Sequence, residues 1–244
     1  MRALLMGGQA CVLYGAAEFS RDTDLAILAS PANLRRLREA LDDLQADVIA
    51  VPPFEAKYLR KGHAVHFRCQ HPEAPGMRID VMTRMRGVDS FSKLWARRTS
   101  MELPLRISCE VMALPDLVRA KKTQRDKDWP MIRRLVEAHF FENRERATAA
   151  QVVFWLRELR TPELLVQVAR RWPAAWARQR PRRPLLAWAH PGRESRLAEA
   201  LTREEWAERK ADARYWKPLK TELERLRHQH LRPDVREGPP PGGR

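Results

Sequence analysis

Cysteine is scarce: Cys11, Cys69 and Cys109 are the three thiols in 244 residues. They form no CxxC pair. That excludes a disulfide scaffold and a zinc ribbon, and it makes a reducing cytoplasm the default compartment. There is no run of about 18 apolar residues, so no transmembrane helix is expected. The opening MRALLMGGQA is broken by Gly7-Gly8 too early to serve as a signal peptide. Acid is also short. Asp and Glu total 31 against 46 Lys and Arg, a net charge of +15. This excludes an acidic solvating protein and favours a polyanionic partner: nucleic acid, nucleotide phosphates or an anionic surface. The chain contains no internal repeat.

Apolar residues make up 44% of the chain, enough to bury a core. Residues 1–141 carry 23 basic and 17 acidic groups, and residues 142–244 carry 23 and 14. The excess is mostly arginine, which a GC-rich genome would also produce.

Short apolar runs alternate with amphipathic stretches in the first half. Ala3–Met6, Leu25–Leu28, Asp47–Val51, Arg78–Thr83 and Ile107–Ala113 read as strands. Phe54–Cys69 alternates well enough to suggest a hairpin turning at Lys61-Gly62. Gln9–Glu18 suits a helix, and Leu34, Leu37, Leu41 and Leu44 mark a second over Ala32–Leu44. The expectation is an α/β domain over 1–141, a small mixed sheet flanked by helices. From Pro115 onward the pattern turns helical: Leu114–Lys122, Asp128–Phe141, Gln151–Arg160, Pro162–Trp172 and Leu197–Leu231. A mainly helical basic region is therefore expected over 142–231, with Arg178–Pro184 as a proline-broken basic linker. The Pro/Gly-rich tail 232–244 is expected to be disordered.

One constellation stands out. Gly7-Gly8 ends the first strand and opens a helix. Asp22-Thr23-Asp24 leads into the next strand, and Asp80 sits within Ile79-Asp80-Val81. Residues i and i+2 of a strand share a face, so Asp22 and Asp24 can present two carboxylates side by side. A hard divalent cation relieves their repulsion. Asp80 from a neighbouring strand could add a third oxygen ligand. Such a set could hold Mg²⁺ or Mn²⁺ and clamp a triphosphate during in-line displacement. Gly7 and Gly8 lack Cβ atoms and would let a phosphate approach the helix start.

GGQACVLYG…SRDTDLAI followed by RIDVMT resembles the nucleotidyltransferase superfamily of polymerase-β type. It looks most like its branch of small bacterial enzymes and abortive-infection or toxin–antitoxin toxin components. The resemblance covers about residues 1–141. It implies the nucleotidyltransferase fold and transfer of a nucleoside monophosphate from a nucleoside triphosphate to an acceptor hydroxyl, with pyrophosphate released. Asp22, Asp24 and Asp80 would be the catalytic and metal-binding residues. Gly7, Gly8, Arg21, Thr23 and Lys121 would contact the nucleotide. The acceptor could be an RNA end, a protein side chain or a small molecule; no membrane partner is implied. The alternative is a catalytically silent member acting as a binding or toxin–antitoxin component. The family usually places a helix before the first strand, where this chain has only Met1-Arg2. Either the start is misplaced, or the helix is missing and apolar sheet surface is exposed, or another segment covers that face.

Other groups have plainer readings. His63, His66 and His71 fit no zinc spacing. Ser100 and Ser108 lack an evident His partner. Asp128 reads as a helix cap or as a partner of Arg125. Trp172, Trp176 and Trp188 interleave with arginines, a pattern that serves RNA stacking or, more often, a helical core.

Overall fold

In the computed structural model, which describes residues 1–230, β1 (Ala3–Met6) runs directly into α1 (Gly7–Leu13). After a loop come β2 (Asp22–Ile27), α2 (Pro31–Asp43) and β3 (Ala46–Val48). Next are α3 (Ala56–Lys61), β4 (Val65–Cys69), β5 (Arg78–Met82), α4 (Phe91–Ala96), β6 (Thr99–Leu103) and β7 (Ile107–Val111). Helices then follow without further strands: α5 (Leu114–Ala120), α6 (Asp128–Asn143), α7 (Ala149–Glu158), α8 (Pro162–Arg171), α9 (Pro173–Gln179) and α10 (Glu194–His230). The tail expected to be disordered lies outside the described residues.

The seven strands form one mixed sheet in the order β3-β4-β5-β2-β1-β7-β6. β2 is antiparallel to β1 and parallel to β5. Side-chain alternation splits β2 cleanly. Leu25 and Ile27 join α2, α3, β4 and β5 in one core with Leu34, Leu37, Phe67, Ile79 and Val81. Ala26 enters the larger core on the other side, with Leu4, Met6 and the later helices. α2 forms where Ser30 accepts the Asn33 N–H and Pro31 takes the first turn, which satisfies an orphan donor and presets φ. Its Leu34, Leu37 and Leu41 bury the inward stripe.

Two expectations are corrected. Phe54–Cys69 is no hairpin: its first half is α3, and Gly62 at φ +110° closes that helix. The Gly62 and His63 N–H groups both return to the Tyr58 carbonyl, so Lys61-Gly62 caps a helix where a strand turn was expected. Arg178–Pro184 is not a loose linker either. Arg183 is 5% exposed. It donates to Glu204 and to the Leu156 and Leu159 carbonyls.

The larger core runs without interruption from Leu4 through Trp155 to Leu201. The helices after residue 141 thus seal the sheet, and residue 141 itself lies inside α6. Trp172, Trp176 and Trp188 pack on this core as partly buried side chains. Among the described residues no helix is long and apolar enough to cross a membrane.

Candidate active site

β2 and β5 run parallel in a register that pairs Asp22 with Arg78 and Asp24 with Asp80. β4 pairs His66 with Asp80 on the far side. Register partners share a sheet face. Asp22, Asp24, Asp80, Arg78 and His66 therefore occupy one face, on the side opposite Leu25, Ile79 and Val81.

Asp24 is the strained member. Burial is the largest force lifting its pKa above the ordinary carboxylate range, and the Asp80 charge adds to it. Hydrogen bonding from Gly8 and the Lys121 charge oppose the rise, while Asp22 reinforces it. The Gly8 N–H lies 3.4 Å from Asp24 Oδ2. Gly7 has φ +65°, and a Cβ there would sit 1.8 Å from the same oxygen. A Cβ on Gly8 would fall 2.3 Å from Ser20 Oγ. The two glycines are thus required by the close approach of the Asp24 and Ser20 side chains. Ser20 in turn donates to the Asp22 carbonyl, and Gln9 donates to the Ser20 carbonyl. These bonds hold the loop that delivers β2 against α1.

Asp80 behaves oppositely. Burial would raise its pKa, yet hydrogen bonds from His66 and Arg78 outweigh burial and hold it below the usual range. His66 Nδ1 lies 2.7 Å from Asp80 Oδ1. Arg78 grips both oxygens, Nε to Oδ1 at 2.9 Å and Nη2 to Oδ2 at 3.1 Å. Two carboxylates paired in register thus differ in character: one uncompensated, one charge-balanced.

Lys121 ends α5 and is 8% exposed. Its Nζ donates to Asp128 Oδ1 at 3.2 Å. Asp128 is 1% exposed and also accepts from Thr123 Oγ1 at 2.5 Å and Arg125 Nε at 2.8 Å. The Lys121 ammonium is therefore tethered to Asp128, and its charge lowers the pKa of Asp24. Cys11 shares this pocket of charge: burial, aided by Asp128 and Asp24, pushes its thiol up to about 11, leaving it protonated at neutral pH.

The other expected contacts divide. Thr23 is in register with Ile79, whose side chain lies in the opposite core. Thr23 thus faces away from Asp22 and Asp24, which corrects its expected role; strand alternation is the reason. Arg21 is exposed at the entrance to β2. His66 and Arg78 are site residues that sequence reasoning missed. The signal available was their two-residue spacing: Arg78 with Asp80 along β5, and His66 with Arg68 along β4.

Among the described residues, no three His, Cys, Asp or Glu side chains are gathered as a metal cage. Asp22 and Asp24 nevertheless suit a hard cation: neighbouring oxygen donors, one raised in pKa by burial and like charge. Three of the four lone-pair sites of Asp80 are taken by His66 and Arg78.

The chain matches no known family model, and comparison with curated proteins finds no significant relative.

Proposed function

We propose that this protein is a metal-dependent nucleotidyltransferase of polymerase-β type, transferring a nucleoside monophosphate from a nucleoside triphosphate to an acceptor hydroxyl. The observation that carries this reading is the in-register pairing of Asp24 with Asp80, with Asp22 two residues away on the same face. A protein with no use for cations would gain stability by neutralising Asp24.

Asp22 and Asp24 would hold Mg²⁺ or Mn²⁺, and Asp80 would complete the set on the acceptor side. When bound, the metal supplies charge neutralisation for the triphosphate and the leaving pyrophosphate. Gly7 and Gly8 leave the backbone beside Asp24 bare, so phosphate oxygens can approach. Lys121, tethered by Asp128, adds a fixed positive charge that acts on Asp24, and Arg21 is free to reach a phosphate from the rim. In the transfer the acceptor oxygen forms a bond to the α-phosphorus while the bond to the β-phosphate bridging oxygen breaks. Pyrophosphate departs, and the proton of the acceptor hydroxyl passes to solvent water. Arg78 and His66 keep Asp80 ionised for its part in this step.

The bond network on Asp80 favours a second reading. A carboxylate already held by Arg78 and His66 is what a silent, nucleotide-binding member of the fold would retain. Incubation with Mg²⁺ and each α-labelled triphosphate, with RNA and with lysate protein as acceptors, separates the two. Transfer that the Asp22→Ala/Asp24→Ala variant cannot perform supports the enzyme. Triphosphate binding without transfer to any acceptor supports the silent module.

A further inference from the structure

α10 is 37 residues long, about 55 Å of helix, and between Arg203 and Glu222 its two faces differ in charge. The inward face holds Glu204, Glu208, Asp212 and Glu222, each bound to a basic partner. Glu204 pairs with Arg183 and Arg160, Glu208 and Asp212 pair with Arg86, and Glu222 pairs with His63. Leu197 and Leu201 on that side enter the core. The outward side presents Arg203, Trp206, Lys210, Arg214, Lys217 and Lys220, all exposed. Their spacings of three and four residues align them in one stripe. None of the five cations forms an ion pair with any described residue, whereas the inward acids are all paired. Trp206 is 67% exposed, within a turn of both Arg203 and Lys210.

We propose that this stripe binds a single-stranded polynucleotide, the five cations contacting successive phosphates and Trp206 stacking on a base. Uncompensated cations in a row attract a phosphate chain. A flat aromatic among them gives each base a stacking surface without sequence preference. A membrane-surface helix is less well matched, because it needs a broad apolar face beside its cations. Here the apolar residues are turned inward and Trp206 is the lone large apolar group of the stripe. The middle of α10 lies beside the loop that follows Lys121: the Gln124 N–H donates to Asp212 Oδ2 at 2.9 Å. The stripe lies on the side of α10 turned away from that contact. The binding itself does not depend on the transfer reaction.

The test is fluorescence anisotropy of the full-length protein with labelled oligo(U) and oligo(dT), without nucleotide. A salt slope of about −3 to −4 in log K against log[salt] is expected from five phosphate contacts on a single strand. Trp206→Ala should weaken binding roughly tenfold. Lys210→Ala/Arg214→Ala/Lys217→Ala should reduce both affinity and slope. Arg35→Ala/Arg36→Ala, exposed on α2 and outside the stripe, should change neither. Asp24→Asn should bind like wild type, so failure of the transferase reading leaves this result intact. RNA bound more tightly than DNA would identify the strand as RNA, and the reverse as DNA. Three outcomes overturn the proposal. One is affinity unchanged in both stripe variants. Another is heparin bound as tightly as oligonucleotide with no loss in Trp206→Ala. The third is capture by anionic vesicles or an acidic protein but not by either oligonucleotide.

Discussion

Gly7 leaves its side-chain space to Asp24. An added Cβ would stand 1.8 Å from Asp24 Oδ2, on a residue whose φ is +65°. The junction between β1 and α1 is thus shaped around one carboxylate, which ties backbone conformation to site chemistry. Gly7→Ala must displace the carboxylate and also hold an L-residue in the left-handed region, which alone costs about 1–2 kcal/mol. A urea melt should show at least that loss. Nucleotidyl transfer should fall further than stability does, because the carboxylate itself has moved.

Asp24→Asn should abolish transfer while leaving the fold at least as stable at pH 7. The sign follows from linkage. A carboxyl whose pKa is raised on folding binds its proton more tightly in the native state, so stability falls as pH rises through that range. Asparagine removes this loss. Mg²⁺ should raise the melting temperature of wild type, by mass action of about 2.7 kcal/mol at a hundredfold excess over Kd. It should leave the variant unchanged. A variant less stable than wild type at pH 7 and more stable at pH 4 would contradict the assignment.

The two register partners should titrate in opposite directions. In a carboxyl-carbon NMR titration, Asp24 should ionise above the ordinary aspartate range and Asp80 below it. Asp80 contributes stability that is present above its unfolded pKa and lost as pH falls through its depressed folded value. Arg78→Ala should move Asp80 upward, because Arg78 donates to both of its oxygens. An unmoved Asp80 in that variant would show that Arg78 does not set its charge.

Lys121→Met breaks a buried ion pair and leaves Asp128 with Thr123 and Arg125 alone. Removing one partner of such a pair costs roughly 3–5 kcal/mol, and Arg125 at the surface should soften this to the lower end. Lys121→Met/Asp128→Asn should recover part of the loss in chemical denaturation. Additive losses would mean the two side chains act independently.

Asp212 joins α10 to the sheet domain. It is 2% exposed and accepts from Arg86, the Gln124 N–H and Trp216. Asp212→Ala leaves the half-buried Gln124 N–H without its acceptor, and leaves Arg86 with Glu208 and the Lys122 carbonyl alone. A loss of about 1–3 kcal/mol is expected. Hydrogen exchange should rise in α10 and in the 122–126 loop while the β2–β5 pair stays protected.

Parts of this molecule are legible in one dimension. The two-residue spacing of Asp22 and Asp24 places both on one strand face whatever the strand pairs with. The leucine stripe of α2 and its Ser30-Pro31 start are equally local. β6 and α4 were not legible. Thr99–Leu103 is a sheet-edge strand with every side chain exposed or only half-buried, so it carries no apolar alternation. α4 is six residues long, too short for a helical period to register. The hairpin expected at Phe54–Cys69 fails because Tyr58 and Val65 suit either period, and the choice belongs to Gly62 and to the packing of Leu59.

Thr23 and His66 show the boundary most clearly. Thr23 sits between the two aspartates in sequence, yet pleating sends it to the opposite face of the sheet. His66 lies 14 residues from Asp80, yet β4 lays it against that carboxylate. The sequence alone determined which residues could act together: an alternating strand carries two aspartates, two glycines precede a helix, and basic residues exceed acidic ones. Only the tertiary structure decided which charges are cancelled. Pairing register and burial set each carboxylate's surroundings, and the same burial pairs Glu204, Glu208, Asp212 and Glu222 inward while Arg203, Lys210, Arg214, Lys217 and Lys220 stay outside.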